Sequence, residues 1–479
     1  MDKKTVFGVV TRLTVMALLL AACATPTPAG PTQAPPTAAP PTQAPPTAAP
    51  PPEAPTEAPT EAPQAMPEGA RIYYADARTW PSQPDMLAHL SHGKFYIPVQ
   101  DDGMVAVIDP EAENPLLKLI PIAAVQPHHP WAAPGMRYMY INHQSEGKGD
   151  HNVMTVIDTF TDEVVTEIKT EFDDPFHCSF SPTNEHLLLC GDLNPEGGYV
   201  YYIDPTTHTY LSKVKTSGKQ ARDVIQTHDG KFAFVGHQGE GNLDVLDVEK
   251  AEIVKTLECN LCARLKMTPD GKLLFASSPK GNITAIIDVA TQEIVKTLEF
   301  EADSGPGNIN FAMNGAFAMI GLGKAGKLAL VDVAKLEVTA ILDSGKSTNA
   351  AYANPVNSSL AIATNDGEDD WYSLIDVATL TVVEQIEAGG KGTHNVHWSA
   401  DGRYGVGSDR LGDTITLFRY DAASGKIEKL ASVQVGFGAN GVQWAPYFCG
   451  APYLTEGNVN TVQNAAPVNA NGDCAAAGN

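Results

Sequence analysis

The sequence has little positive charge. It contains 32 Lys and Arg residues against 56 Asp and Glu residues, a formal net charge of -24 at pH 7. No run of basic residues offsets this excess, so a nucleic acid or an anionic membrane surface would repel the chain. The composition excludes nucleic acid as a partner. The densest acidic group, residues 366–370, lacks the spacing of a helix-loop-helix calcium site and is interpreted as a solvated loop.

The sequence also lacks the common catalytic motifs. No Ser, His and Asp set stands out as a nucleophile with its base, and no His follows Cys262 to make a covalent haem attachment motif. Residues 321–326 match GxGxxG, but the strand-like sequence KLALVD follows, where a dinucleotide site needs a helix. These absences leave open whether the chain is an enzyme.

Long apolar runs are absent after the N-terminus. Residues 1–23 begin with a basic segment, continue with an apolar run at 13–20 that is too short to span a bilayer, and end in Leu-Ala-Ala-Cys. This order predicts an export signal. Its ending resembles the bacterial lipobox, which implies that Cys23 carries a lipid. We therefore expect an extracytoplasmic protein whose contact with the cell membrane is this anchor alone.

Residues 24–67 form a Pro/Ala/Thr tract in which PTQAPPTAAP is repeated. Such a tract has too few apolar side chains to fold, and its prolines favour an extended chain. At about 3.1 Å per residue it could span roughly 130 Å. The predicted organisation is a signal peptide (1–23), a spacer (24–67), a globular domain (68–449) and a disordered tail (450–479).

Most of the remaining chain repeats one unit of four short strands, seen most clearly in residues 264–298. Its third strand ends at an aliphatic residue followed by Asp, whose carboxylate can accept hydrogen bonds from the next turn. This signal recurs every 41 to 49 residues, at Asp109, Asp158, Asp204, Asp247, Asp288, Asp332 and Asp376, with Tyr420-Asp421 as a weaker eighth copy. Many copies of such a unit are typical of a β-propeller. The sequence predicts an all-β propeller of eight four-stranded blades, with seven as the alternative.

The blade boundaries follow from the same repeat. We expect blades at residues 84–124, 128–170, 176–216, 221–258, 264–298, 307–343, 349–388 and 394–435. Residues 440–446 then form one more first strand without partners of its own. Such a strand would complete blade one and close the ring, which removes exposed strand edges. Residues 71–76 are a further candidate for this closure.

Six cysteines besides Cys23 suit an oxidising compartment. The interpretation favoured here is three local disulfides. The expected pairs are Cys178 with Cys190, Cys259 with Cys262, and Cys449 with Cys474. A redox or metal role for the CxxC pair is the alternative.

The candidate functional residues lie where the innermost strands of a propeller begin, because those ends converge on the mouth of the central channel. The candidate metal ligands are His128, His129, His177 and His394, followed by His143 and His237. The candidate cofactor-binding residues at nearby positions are Arg222, Arg264, Asn308, Asn349 and Asn440. Several neutral imidazoles at one mouth would suit copper, iron or zinc. The alternative is a water-filled polar channel.

The repeat resembles the YVTN-type bacterial propellers, and residues 232–248 come nearest to their signature. With eight blades it is also similar to the haem-carrying propeller of cytochrome-type nitrite reductases. His128-His129-Pro130 and residues 174–178 resemble motifs of nitrous-oxide reductase, in which axial histidines hold a copper–sulfide cluster. The likeness covers about residues 71–448 and implies copper or haem as the cofactor.

Two functional hypotheses follow. The first is a lipid-anchored binding module that contacts an envelope protein or a small ligand through its loop faces and channel mouth. The second is a metal- or haem-carrying redox protein with a His-lined site on the propeller axis.

Overall fold

The repeated unit folds into eight separate four-stranded antiparallel sheets. The computed structural model describes residues 93–122, 126–133, 136–144, 152–170, 175–180 and 187–446. In seven sheets the four strands follow one another along the chain, and the eighth sheet joins the two ends of the described part. First strands of successive blades contact one another around a ring. The predicted eight-bladed β-propeller is therefore confirmed, and the alternative of seven blades is wrong.

The first fifteen strands of the described chain belong to blades one to four. Blade one contains β1 (Gly93–Val99), β2 (Met104–Ile108) and β3 (Leu116–Pro121); blade two contains β4 (Pro127–Ala132), β5 (Tyr138–His143), β6 (Val153–Asp158) and β7 (Glu163–Lys169). Blade three contains β8 (Pro175–Phe180), β9 (Leu188–Asp192), β10 (Tyr199–Asp204) and β11 (Thr209–Lys215). Blade four contains β12 (Lys219–Gln226), β13 (Phe232–Glu240), β14 (Leu243–Asp247) and β15 (Glu252–Leu257).

The second half of the ring continues in the same way. Blade five contains β16 (Arg264–Met267), β17 (Leu273–Ser278), β18 (Ile283–Asp288) and β19 (Glu293–Glu299). Blade six contains β20 (Pro306–Ala312), a 3-10 turn at Met313–Gly315, β21 (Phe317–Leu322), β22 (Lys327–Asp332) and β23 (Glu337–Asp343). Blade seven contains β24 (Thr348–Ala353), β25 (Leu360–Asn365), β26 (Trp371–Asp376) and β27 (Thr381–Glu387). Blade eight contains β28 (Thr393–Trp398), β29 (Tyr404–Asp409), β30 (Thr414–Asp421) and β31 (Lys426–Gln434).

The last described strand closes the ring. Strand β32 (Gln443–Pro446) pairs antiparallel with β1 and becomes the innermost strand of blade one. Trp444 lies opposite Phe95 in this pairing, and both side chains are fully buried. The predicted closure by a C-terminal strand is confirmed. Residues 71–76, the other candidate, lie outside the described residues, as do Cys23, the spacer and the tail.

Each blade is buried in its middle and exposed at its outer edge. The second and third strands are almost continuously buried, because both of their faces pack against neighbouring blades. The fourth strands alternate exposed polar and half-buried apolar residues, as expected of a strand with one edge in water. In the part of the chain that the structure describes, no helix has the length and apolar character that a membrane crossing requires.

Two of the expected disulfides are formed. Cys178 and Cys190 are directly paired across strands β8 and β9, with 4.0 Å between their Cα atoms. Cys259 and Cys262 are joined in the connection between β15 and β16. Cys449 and Cys474 lie outside the described residues, so their pairing stays a prediction.

A buried carboxyl group links blades seven and eight. Asp409, the last residue of β29, is fully buried and accepts a 2.8 Å hydrogen bond from the Tyr372 hydroxyl of blade seven. Burial raises the pKa of Asp409 to about 7, although hydrogen bonds from Tyr372, Thr414 and Thr416 act in the opposite direction. Asn365 takes the equivalent position at the end of β25 in blade seven. Each of the two residues pairs with the threonine that begins the first strand of its own blade, Thr393 for Asp409 and Thr348 for Asn365.

We expect Asp409→Asn to stabilise the ring at alkaline pH. The folded protein holds this proton up to about pH 7, whereas the unfolded chain releases it near pH 4. The wild-type protein therefore loses stability as pH rises from 4 to 7, on the order of 4 kcal/mol for a shift of about three units. Urea unfolding at pH 4.5 and pH 8 measures the difference between the two proteins. Equal pH dependence in both would contradict the assignment.

Candidate functional site

Four of the predicted histidines meet at one end of the innermost strands. The ring centroid of His129 lies 4.2 Å from that of His128 and 5.1 Å from that of His177. His394 is next, with its centroid 5.9 Å from that of His129. These residues come from blades two, three and eight. The fold therefore brings together side chains that are far apart in the sequence, with 266 positions between His128 and His394.

The backbone bulges where these side chains begin. In blade two, Pro127 pairs with His143 and Pro130 pairs with Ile141, so two residues of β4 oppose one residue of β5. A bulge of this kind kinks the strand and re-aims the side chains of the two unpaired residues. The same shift separates Pro175 from Cys178 in blade three. It explains how consecutive residues such as His128 and His129 reach the same cluster.

The imidazole nitrogens are close enough to share one ion. One ring nitrogen from each of His128, His129 and His177 lies within 4.8 Å of the others. His128 Nδ1 and His177 Nε2 are buried and have no hydrogen-bond partner among the described residues. A buried polar atom without a partner costs about 1–3 kcal/mol, so this geometry favours a ligand that both nitrogens can bind.

Asp223 fixes the orientation of His177. Its Oδ1 atom lies 2.6 Å from His177 Nδ1 and 2.5 Å from Arg222, and its Oδ2 atom accepts a 2.9 Å hydrogen bond from the Leu265 amide. An ionised carboxylate only accepts, so the His177 proton lies on Nδ1 and leaves Nε2 free as a ligand. A carboxylate behind a histidine is the usual support of a metal-binding imidazole.

A second carboxylate supports His394 in the same way. Asp366 Oδ2 lies 3.2 Å from His394 Nδ1 and 3.5 Å from an Arg410 nitrogen. Burial raises the pKa of Asp366, but the interactions with His394 and Arg410 lower it to about 2. Asp369, in the same loop, is fully buried. The interpretation of residues 366–370 as a solvated loop is therefore wrong for these two carboxylates.

Burial keeps three of the rings neutral. It lowers the pKa values of His128 and His129 well below the usual range, and the neighbouring imidazoles add to the effect. Burial and the Arg222 charge lower the pKa of His177 to about 4, against the opposing effect of Asp223. At neutral pH these imidazoles carry a lone pair on one nitrogen, which is the form that ligates metals.

Among the predicted asparagines and arginines, Arg222 and Asn349 contact the cluster directly. Asn308 donates a 2.9 Å hydrogen bond to Asn349, which in turn donates to the His394 carbonyl oxygen at 3.2 Å. Arg264 donates to Gln238 at 3.3 Å. Asn440 donates to Gln100 at 2.7 Å, in the segment that leads into the closing strand. The next residue, Gly441, donates its amide to the His128 carbonyl oxygen.

His143 and His237 are not brought into this cluster. His143 Nε2 lies 3.0 Å from the Thr155 hydroxyl inside blade two. His237 Nδ1 donates to the Asn242 carbonyl oxygen at 2.5 Å, and its Nε2 lies 3.6 Å from Asp244 inside blade four.

The sequence did not indicate that Asp223 and Asp366 belong to the site. The only available signal for Asp223 was its place as the one acidic residue in the innermost strands.

The fold and this axial cluster define an eight-bladed β-propeller with a histidine-lined channel mouth. Residues 200–357 match the model of the YNCE-like beta-propeller family, which is about a third of the chain. No curated protein matches the sequence.

Solved structures share the fold at low identity. The dihydro-heme d1 dehydrogenase NirN, solved in complex with DHE, is 18% identical with a TM-score of 0.60, over 73% of this chain and 74% of that chain. A periplasmic gluconolactonase of Pseudomonas aeruginosa is 16% identical with a TM-score of 0.50, over 74% of this chain and 99% of that chain. A 6-phosphogluconolactonase-like protein of Bacteroides uniformis is 16% identical with a TM-score of 0.50, over 64% and 99%. At these identities the likeness shows the fold alone.

Proposed function

We propose that this β-propeller is an extracytoplasmic metal-binding protein whose axial histidines hold one transition-metal ion. The observation that carries the proposal is the approach of three ring nitrogens, from His128, His129 and His177, to within 4.8 Å of one another. Asp223 behind His177 and Asp366 behind His394 support it. A lipid on Cys23 and the proline-rich spacer would hold the propeller at the outer side of the cell membrane.

The ligand set suits copper or zinc. Imidazole nitrogens are ligands for both metals, and three protein ligands leave a coordination position open for a further molecule. A haem fits less well, because it uses one or two axial ligands on opposite sides of its plane, whereas these three nitrogens converge. When bound, such an ion would supply a Lewis acid, and copper would also supply a one-electron redox centre.

Metal analysis of the natural protein tests this proposal. We expect about one copper or zinc ion per chain in protein isolated from the membrane fraction of its native host. After metal removal, titration should restore one equivalent in the wild-type protein and none in the double variant His129→Ala/His177→Ala. The variant His143→Ala, with its side chain inside blade two, is the control and should retain the metal.

The proposal fails if the wild-type protein neither contains a transition metal nor takes one up. It also fails if the double variant binds metal as tightly as the wild-type protein. The other hypothesis, an interaction module for an envelope protein, stays a prediction, since none of the contacts described above bears on it.

A further inference from the structure

The innermost strands carry an unusual balance of charge for this protein. Acidic residues outnumber basic ones by 56 to 32 in the whole chain. The eight innermost strands reverse this, with four basic residues and one acidic residue. These are Lys219, Arg222, Asp223, Arg264 and Lys266, all in blades four and five. One wall of the channel is therefore positively charged.

Two of these basic residues, Arg264 and Lys266, alternate with Leu265 along β16. The Leu265 side chain is buried in the core between blades four and five. Because successive side chains of a strand point to opposite faces, Arg264 and Lys266 lie on the other face. Lys266 is exposed there.

The charge of Lys266 reaches across the channel. Burial lowers the pKa of His397 to about 4, and the positive charge of Lys266 contributes to this shift. His397 belongs to blade eight, three blades away from Lys266 around the ring. Lys266 is an exposed residue of the innermost strand of blade five, so its ammonium group faces the channel.

Strand β16 is tied directly to the histidine cluster. The Leu265 amide donates to Asp223 Oδ2, and Asp223 Oδ1 accepts from His177. Arg264 and Lys266 flank Leu265, so each is one residue away from this link along β16.

Arg264 and Lys266 differ from the other basic side chains of the innermost strands, and from Arg410 at the rim, in forming no ion pair. Lys219 pairs with Glu240 at 3.0 Å, Arg222 with Asp223, and Arg410 at the rim with Asp366. Within the described ranges no carboxylate forms an ion pair with Arg264 or Lys266, and Arg264 contacts only the neutral Gln238. Desolvation lowers the pKa of Lys266, against the opposing effect of the Asp223 charge. A bound anion would favour the charged form of Lys266 and would also neutralise the Arg264 guanidinium group in the enclosed channel.

We infer that the channel binds a small oxyanion, held by Arg264 and Lys266 beside the histidine cluster. A guanidinium group matches the geometry of two oxygens, and an ammonium group adds a compact charge with three donors. The inference goes beyond the proposed metal site and rests on other residues.

Sulfate titration of the metal-free, full-length protein tests this inference. Calorimetry in a low-salt buffer without other oxyanions limits screening of the interaction. We expect one saturable site in the wild-type protein, and binding at least about tenfold weaker in Lys266→Met and in Arg264→Gln, a loss of about 1.4 kcal/mol for each. Lys266→Arg should retain most of the affinity. The control Lys272→Met removes an exposed charge from the same blade and should change nothing.

The absence of saturable sulfate binding would overturn the inference, and so would equal weakening in Lys266→Met and Lys272→Met. The double variant His129→Ala/His177→Ala separates this site from the metal site. It should lose the metal and keep the sulfate, and loss of sulfate in that variant would place the anion on the imidazoles instead. A failed metal titration with a positive sulfate result would reject only the metal site.

Discussion

Replacing Trp444 by alanine is expected to lower the free energy of unfolding by about 3–5 kcal/mol. Trp444 is fully buried in the closing strand β32, where its indole ring covers Gly93. It belongs to a core that contains residues of blades one, two and eight. Its removal would leave a cavity in this core and weaken the strand pairing that joins the two ends of the ring. Urea-induced unfolding of both proteins, followed by circular dichroism, measures the effect.

Phe437→Ala is the matched control. Phe437 lies in the loop that leads into the closing strand, but its side chain is 58% exposed. Substitutions at such positions usually change stability by less than about 0.5 kcal/mol. If Trp444→Ala were no more destabilising than Phe437→Ala, the closing strand would not contribute to stability as its burial implies.

Replacing Asp223 by asparagine is expected to weaken metal binding by about 10- to 100-fold. The substitution keeps the shape of the side chain but removes the charge that holds the His177 proton on Nδ1. It also removes the partner of Arg222, whose charge then acts on His177 without compensation. The first change no longer keeps the proton away from Nε2. The second places an unpaired positive charge beside the bound cation. Both changes therefore weaken metal binding. Asp223 is thus a positioning residue, since it acts through His177.

The control for this prediction is Asp244→Asn. Asp244 is also fully buried and lies 3.6 Å from a histidine nitrogen, but in the separate interior of blade four. It accepts hydrogen bonds from Ser217 and Thr256, so its loss should affect stability without affecting metal affinity. Competition titration with a chelator measures affinity in both variants. An unchanged affinity in Asp223→Asn, or an equal loss in Asp244→Asn, would contradict the role of Asp223.

The strand pattern was predictable because it depends on local chemistry. The residue Asp288 ends β18 and accepts a hydrogen bond from the Thr291 amide of the next turn, as expected from the sequence. The same residue type ends the third strand in the other blades, so the number of blades could be counted. The unpaired first strand near Trp444 predicted the closure, since a ring of sheets leaves no other partner for it.

The details of the site were less predictable. The repeat indicated that His128, His129 and His177 begin innermost strands, but not that bulges aim consecutive residues at one point. It also placed His143 and His237 next among the candidates, although hydrogen bonds hold them inside their own blades. Asp366 belongs to a loop of blade seven, and no local feature of its acidic segment shows that it would face His394.

By itself, the sequence predicted a ring of eight β-sheet blades, with seven as the alternative, closed by a C-terminal strand, because hydrophobic alternation and turn signals act over a few residues. Only the tertiary structure decided the number of blades, which imidazoles share a site, which carboxylates orient them and which basic residues of the innermost strands form no ion pair. These relations join residues of different blades. They depend on where bulges and ring closure place each side chain, and that placement is set by packing between sheets distant in the chain.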